Sequence, residues 1–171
     1  AVAPEGVQAL LGIESYVRQS GLEPGLLHLV KTRASQVNRC AYCIDMHTKD
    51  ARAGGETEQR IYALSAWRET PFFTERERAA LAWTEAITLI SHGSVPEALY
   101  DEARRSFSEK ELVDLTLGLI AINGWNRLAI AFPAVRDRCA AGGHDREGRV
   151  AAGLHRLRGR VGDDAQRRRR D

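Results

Sequence analysis

The sequence predicts an all-α, single-domain fold. Three observations carry the prediction: apolar residues recur at helical spacing along most of the chain, no stretch alternates as a strand would, and the breaks between periodic segments carry helix start and stop signals. At 171 residues the chain is long enough to bury one substantial core without covalent staples.

The elements follow in order. A first helix is expected over about 5 to 19, closed by Ser20-Gly21, and a second over about 25 to 37, opened by Pro24. A third runs over about 39 to 53, with Asn38 as its N-cap and Gly54-Gly55 as its stop. A fourth is expected over about 56 to 68. The fifth, about 74 to 91, starts on a capping box of Thr74 and Glu77; after a sixth over about 96 to 106, the seventh, about 109 to 132, starts on another of Ser108 and Glu111. Residues 112 to 132, LVDLTLGLIAINGWNRLAIAF, are long enough to span a bilayer. They include Asp114, Asn123, Asn126 and Arg127, which would be costly in lipid, so the expectation is a helix central to the core and, in part, to an oligomer interface. Pro133 stops it, and periodicity then fades.

Charge divides the chain into a domain, 1 to 143, and a basic Arg-rich tail, 144 to 171. The tail holds nine Arg against five Asp and Glu, while the whole chain has a net charge of +2, so the body is mildly acidic. Arg167-Arg168-Arg169-Arg170 could meet nucleic acid or an acidic surface, but no aromatic residues are interleaved to stack on bases, and arginine outnumbers lysine throughout. A solvated tail is the expectation, without nucleic-acid or membrane binding. The three cysteines, Cys40, Cys43 and Cys139, are too few and odd in number for a secreted disulfide framework. The first segment, AVAPEGVQALLGI, lacks the basic start and long apolar run of a signal peptide. A cytoplasmic location is therefore expected.

NRCAYCIDMHTKDA, residues 38 to 51, carries the chemistry. At roughly 100° per residue Cys40, Cys43 and His47 fall within about 60° of one helix face, and the two cysteine Cα atoms lie about 5 Å apart, a separation that a disulfide tolerates. Such a pair can cycle between dithiol and disulfide. The positive end of the helix favours a thiolate at Cys40, whereas His47, one turn beyond Cys43, favours one there, so spacing leaves the attacking sulfur open. A c-type haem site would need histidine where Ile44 stands. Zinc could take Cys40, Cys43, His47 and His28, though structural zinc pairs usually sit on turns. A thioredoxin fold would need strands, and two inert buried thiols beside a satisfied histidine is the plain structural alternative.

Residues 26 to 88, LLHLVKTRASQVNRCAYCIDMHTKDARAGGETEQRIYALSAWRETPFFTERERAALAWTEAIT, closely resemble the alkylhydroperoxidase D-like branch of the carboxymuconolactone decarboxylase family, and INGWNRLAIAF at 122 to 132 is similar to its closing helix. The resemblance covers about residues 5 to 133. It implies an all-α fold assembled as a trimer or hexamer, with peroxide reduced by the cysteine pair and no bound cofactor or metal. On that scheme Cys43 attacks the peroxide and becomes a sulfenic acid, Cys40 resolves it to a disulfide, and His47 relays the proton. A dithiol such as a dihydrolipoyl carrier restores the thiols. The family's usual relay glutamate, twelve residues before the first cysteine, is replaced here by His28, which can pass a proton but supplies no fixed negative charge.

Glu85, in LAWTEAITLI, is a candidate substitute carboxylate beside its plainer role in a surface hydrogen bond. His92, before Gly93, suits a helix end, Cys139 reads as a spectator thiol, and Trp67, Trp83 and Trp125 read as core or interface. Two rival functions stand beside the peroxidase: a lactone decarboxylase-type lyase of the same family, whose chemistry does not use a cysteine pair, and a non-enzymatic redox-responsive subunit with a binding tail.

Overall fold

The computed structural model describes residues 3–132; Pro133, Cys139 and the Arg-rich tail lie outside them. Seven α-helices follow one another: α1 (Pro4–Arg18), α2 (Pro24–Val37), α3 (Ala41–Ala53), α4 (Glu58–Ala63), α5 (Glu75–Thr88), α6 (Glu97–Ser106) and α7 (Glu109–Ala131). Among the described residues there is no strand.

Local signals set most boundaries. Prolines occupy the first turns of α1 and α2, where the missing amide costs nothing. Thr74 with Glu77 and Ser108 with Glu111 both form complete capping boxes. The expected helix over 56 to 68 is interrupted: α4 ends at Ala63 and a 3₁₀ stretch runs over Leu64–Glu69, with Ala66 off the helical path. Tertiary contacts explain the break. The Arg78 guanidinium on α5 donates to the carbonyls of Trp67, Arg68 and Thr70, and stands with that of Arg68 over the Trp67 ring. Similarly α5 stops at Thr88, three residues early, and a short 3₁₀ turn, Ile90–His92, leaves His92 exposed.

Helix α2 is the hub, packed against α3, α5 and α7. Val17, Leu27, Val30, Leu115, Leu119 and Ile122 meet in the main core; Trp83 and Trp125 join them, and Trp67 anchors a second cluster with Leu29 and Leu81. Helix α1 approaches α7 closely at two glycines. A Cβ on Gly118 would stand 3.3 Å from Val17, and one on Gly124 3.3 Å from Leu10. Asp114, the charge inside α7, is buried but accepts from Tyr16 Oη at 2.9 Å and Lys110 Nζ at 2.6 Å. No helix among the described residues is long and apolar enough to cross a membrane. On the outer side of α7, Val113, Ile120 and Ile130 stay about half exposed.

Candidate active site

The segment holding the cysteines departs from the expected boundary. Asn38 does not cap α3; it is the C-cap of α2, and Cys40 is the N-cap of α3, which begins at Ala41. Between them Arg39 adopts φ 58°, a left-handed conformation that ends the first helix. The Arg39 amide donates to Gln36 O at 3.1 Å and the Cys40 amide to Ser35 O at 3.0 Å, the paired bonds of a Schellman turn. A helix start at Arg39 is therefore excluded, because Arg39 is left-handed and Cys40 is extended, and helical backbone begins only at Ala41.

The cysteines nevertheless stand as close as their spacing requires. Cys40 and Cys43 form a disulfide with Cα atoms 5.3 Å apart, and Cys40 Sγ accepts from the Cys43 amide at 3.4 Å. Both residues are 2% exposed, packed with Tyr42 and with Ala129 of α7. As the N-cap, Cys40 sits at the positive end of α3, where a thiolate is stabilised by the helix amides.

His47 lies one turn further along, buried, and its Nε2 makes no hydrogen bond to the described residues. Burial pushes its pKa down to about 3, and the neighbouring charges of Lys31 and His28 on α2 push in the same direction. The imidazole is therefore neutral across the physiological range. His28 belongs to the same cluster: its ring lies against the end of α3, 3.5 Å from where a Cβ on Gly54 would be, and it acts electrostatically on His47. Cys40, Cys43 and His47 thus follow one another along the first half of α3, while His28 of α2 acts on His47 from the side of the helix's far end.

Glu85 does not join them. Its carboxylate accepts from Trp67 Nε1 at 2.9 Å, Arg33 Nε at 2.8 Å and Arg68 Nη1 at 2.5 Å. Burial works to raise its pKa, but these donors outweigh it and hold the carboxyl below its ordinary value. Its role is to anchor the 3₁₀ stretch and α2, and the substitute-carboxylate expectation falls. The side-chain cation that acts on His47 is instead Lys31, ion-paired with Glu14 of α1.

Behind the Schellman turn lies a buried polar network that spacing did not reveal. Asn38 Nδ2 donates to Asn123 Oδ1 at 2.9 Å and Asn126 Oδ1 at 2.8 Å. Asn126 Nδ2 donates to Ser35 Oγ at 3.2 Å; Asn123 Nδ2 donates to Leu119 O at 2.8 Å and Thr88 Oγ1 at 3.3 Å. The available signal was two asparagines three apart in the apolar second half of a helix, too far in sequence from residue 38 to suggest a meeting.

Known proteins share this fold. The carboxymuconolactone decarboxylase family model matches residues 4–86. The chain is 49% identical over 130 residues to the uncharacterized protein YdfG of Bacillus subtilis, covering 76% of this chain and 88% of that one. A crystal structure from Agrobacterium tumefaciens, of a protein of unknown function for which an AhpD antioxidant defence role is suggested, superposes with a TM-score of 0.74 at 42% identity, covering 85% of this chain and 94% of that one. An uncharacterized peroxidase-related protein from Ralstonia eutropha, described as an alkylhydroperoxidase AhpD core, shares the fold at 20% identity and TM-score 0.66, over 75% and 69% of the two chains. With its helices, its cysteine pair and these relatives in agreement, the chain belongs to the carboxymuconolactone decarboxylase family, in its alkylhydroperoxidase D-like branch.

Proposed function

We propose that this protein is a cysteine-based peroxidase and thiol-disulfide oxidoreductase that uses a dithiol reductant in a reducing cytoplasm. The observation that carries the reading is the Cys40–Cys43 disulfide at the N-terminus of α3, beside a buried imidazole with an unpartnered Nε2. In the reduced enzyme, the Cys43 sulfur attacks the terminal peroxide oxygen. The O–O bond breaks, the thiol proton passes through His47 to the departing alkoxide, and alcohol and a Cys43 sulfenic acid result. Cys40, favoured as a thiolate at its capping position, then attacks the sulfenic sulfur; water leaves and the disulfide forms. A dihydrolipoyl-type dithiol supplies two electrons and two protons to restore both thiols. On this reading His28 exchanges the proton between His47 and solvent.

Peroxide consumption with dihydrolipoamide tests the reading. Cys43→Ser should lose essentially all turnover; a variant as fast as the parent removes the role of Cys43. Lactone turnover retained by a double Cys→Ser variant that has no peroxidase parent would favour the lyase instead. The reading includes a homo-oligomer that covers Val113, Ile120 and Ile130 of α7, since exposed apolar groups on a central helix gain from burial against a second copy. Light scattering that returned a monomer at micromolar concentration would overturn that part.

A further inference from the structure

How readily a dithiol closes to its disulfide depends on how firmly the backbone keeps the two sulfurs within reach when the bond is open. Helix α3 ties the two cysteines to each other, since the Ile44 amide donates to the Cys40 carbonyl at 2.9 Å, but it does not fix the chain that leads into Cys40. Cys43 is inside α3, but Cys40 precedes it, and the next residue back, Arg39, is in a left-handed conformation that an arginine holds at a cost of about 1 kcal/mol. Something outside the turn must hold it.

We propose that Asn38 and Asn126 are positioning residues for the cysteine pair: by gripping both ends of the turn that carries Cys40, they set the readiness with which its disulfide forms. Asn126 is fully buried and bonds to the turn twice. Its Oδ1 accepts from Asn38, the residue before Arg39, at 2.8 Å, and its Nδ2 donates at 3.2 Å to the hydroxyl of Ser35, whose carbonyl holds the Cys40 amide at 3.0 Å. One turn along the same helix, Ala129 belongs to the buried cluster that holds both cysteines. Helix α7 therefore presents one face to the turn and to the sulfurs together. With the backbone held, opening and closing the bond requires only side-chain rotation, and the effective concentration of one thiol at the other stays high. The inference rests on the pair acting as a redox couple.

The test is exchange with dithiothreitol. The protein disulfide accepts two electrons and two protons, and dithiothreitol is oxidised to its cyclic disulfide, so no peroxide is involved. The equilibrium constants of the parent, Asn38→Ala, Asn126→Leu and a control, Trp83→Phe, would be compared. The control loses the buried bond from Trp83 Nε1 to Thr116 Oγ1, 3.0 Å, away from the turn. Both asparagine variants should be reduced more readily by about tenfold, or about 30 mV for a two-electron couple, while Trp83→Phe lowers Tm and leaves the constant unchanged. Asn38 is only partly buried, so Asn38→Ala keeps the test decisive should Asn126→Leu fail to fold. A constant within twofold of the parent in Asn38→Ala, or an equal shift in the control, overturns the proposal. A parent that exchanges with dithiothreitol but does not reduce peroxide would refute the peroxidase reading alone.

Discussion

Helix α3 is entered and left through turns of the same design, made from different residues. At the exit, Gly55 takes φ 96°, its amide donates to Arg52 O at 3.0 Å and the Glu56 amide to Ala51 O at 2.9 Å. At the entrance, the same two bonds are made around Arg39. Glycine adopts the left-handed region without a steric penalty, so the exit turn is locally self-sufficient and lies exposed. Arginine pays for that conformation, and the entrance turn is the one backed by Asn38, Asn123 and Asn126. Tertiary support stands at the turn that carries a reactive sulfur, and local propensity suffices at the one that carries none.

The largest expected effect that sharpens this contrast comes from His47, midway between the turns. Its pKa is about 3 in the folded protein against 6.5 for an ordinary histidine. Below pH 6.5 the unfolded chain binds a proton at this residue that the folded chain refuses, so stability is lost on acidification towards pH 3. The loss attributable to His47 should reach about 2 to 3 kcal/mol between pH 6.5 and 4.5. Chemical denaturation of the parent and of His47→Gln across that interval measures it; identical slopes would show that the ring titrates normally.

Gly55→Ala should come next, costing about 1 to 2 kcal/mol because alanine bears the steric cost of a left-handed conformation that glycine adopts freely. Arg39→Gly should move the other way and by less, stabilising by up to about 1 kcal/mol as the steric cost disappears against the extra backbone entropy of glycine. Because the asparagines still grip the turn, the dithiothreitol equilibrium of Arg39→Gly should match the parent. A stabilised variant with an altered equilibrium would mean that the left-handed residue itself, and not the clamp, sets the cysteine geometry.

Much of the fold was legible because helix ends are written locally. Thr74 with Glu77, Ser108 with Glu111, Pro24, and Gly54-Gly55 each act within one turn of the backbone, and each sits where the structure begins or ends a helix. The errors fall where distant groups intervene. Residues 64 to 68 read as helix until Arg78 draws off the carbonyls of Trp67 and Arg68, and Asn38 reads as an N-cap until two asparagines of α7 claim its amide group. Glu85 read as a possible relay group because its donors, Arg33, Trp67 and Arg68, come from two other segments.

By itself the sequence determined an all-helical chain and a cysteine pair able to close on itself, since three residues of separation at a helix start allow two Cα atoms to lie 5.3 Å apart, within reach of a disulfide. Only the tertiary structure decided that Cys40 caps α3 instead of lying within it, that His47 is neutral, and that Asn126 stands behind the turn. Those outcomes depend on burial and on partners as many as 91 residues away in sequence, and short-range spacing carries no information about either.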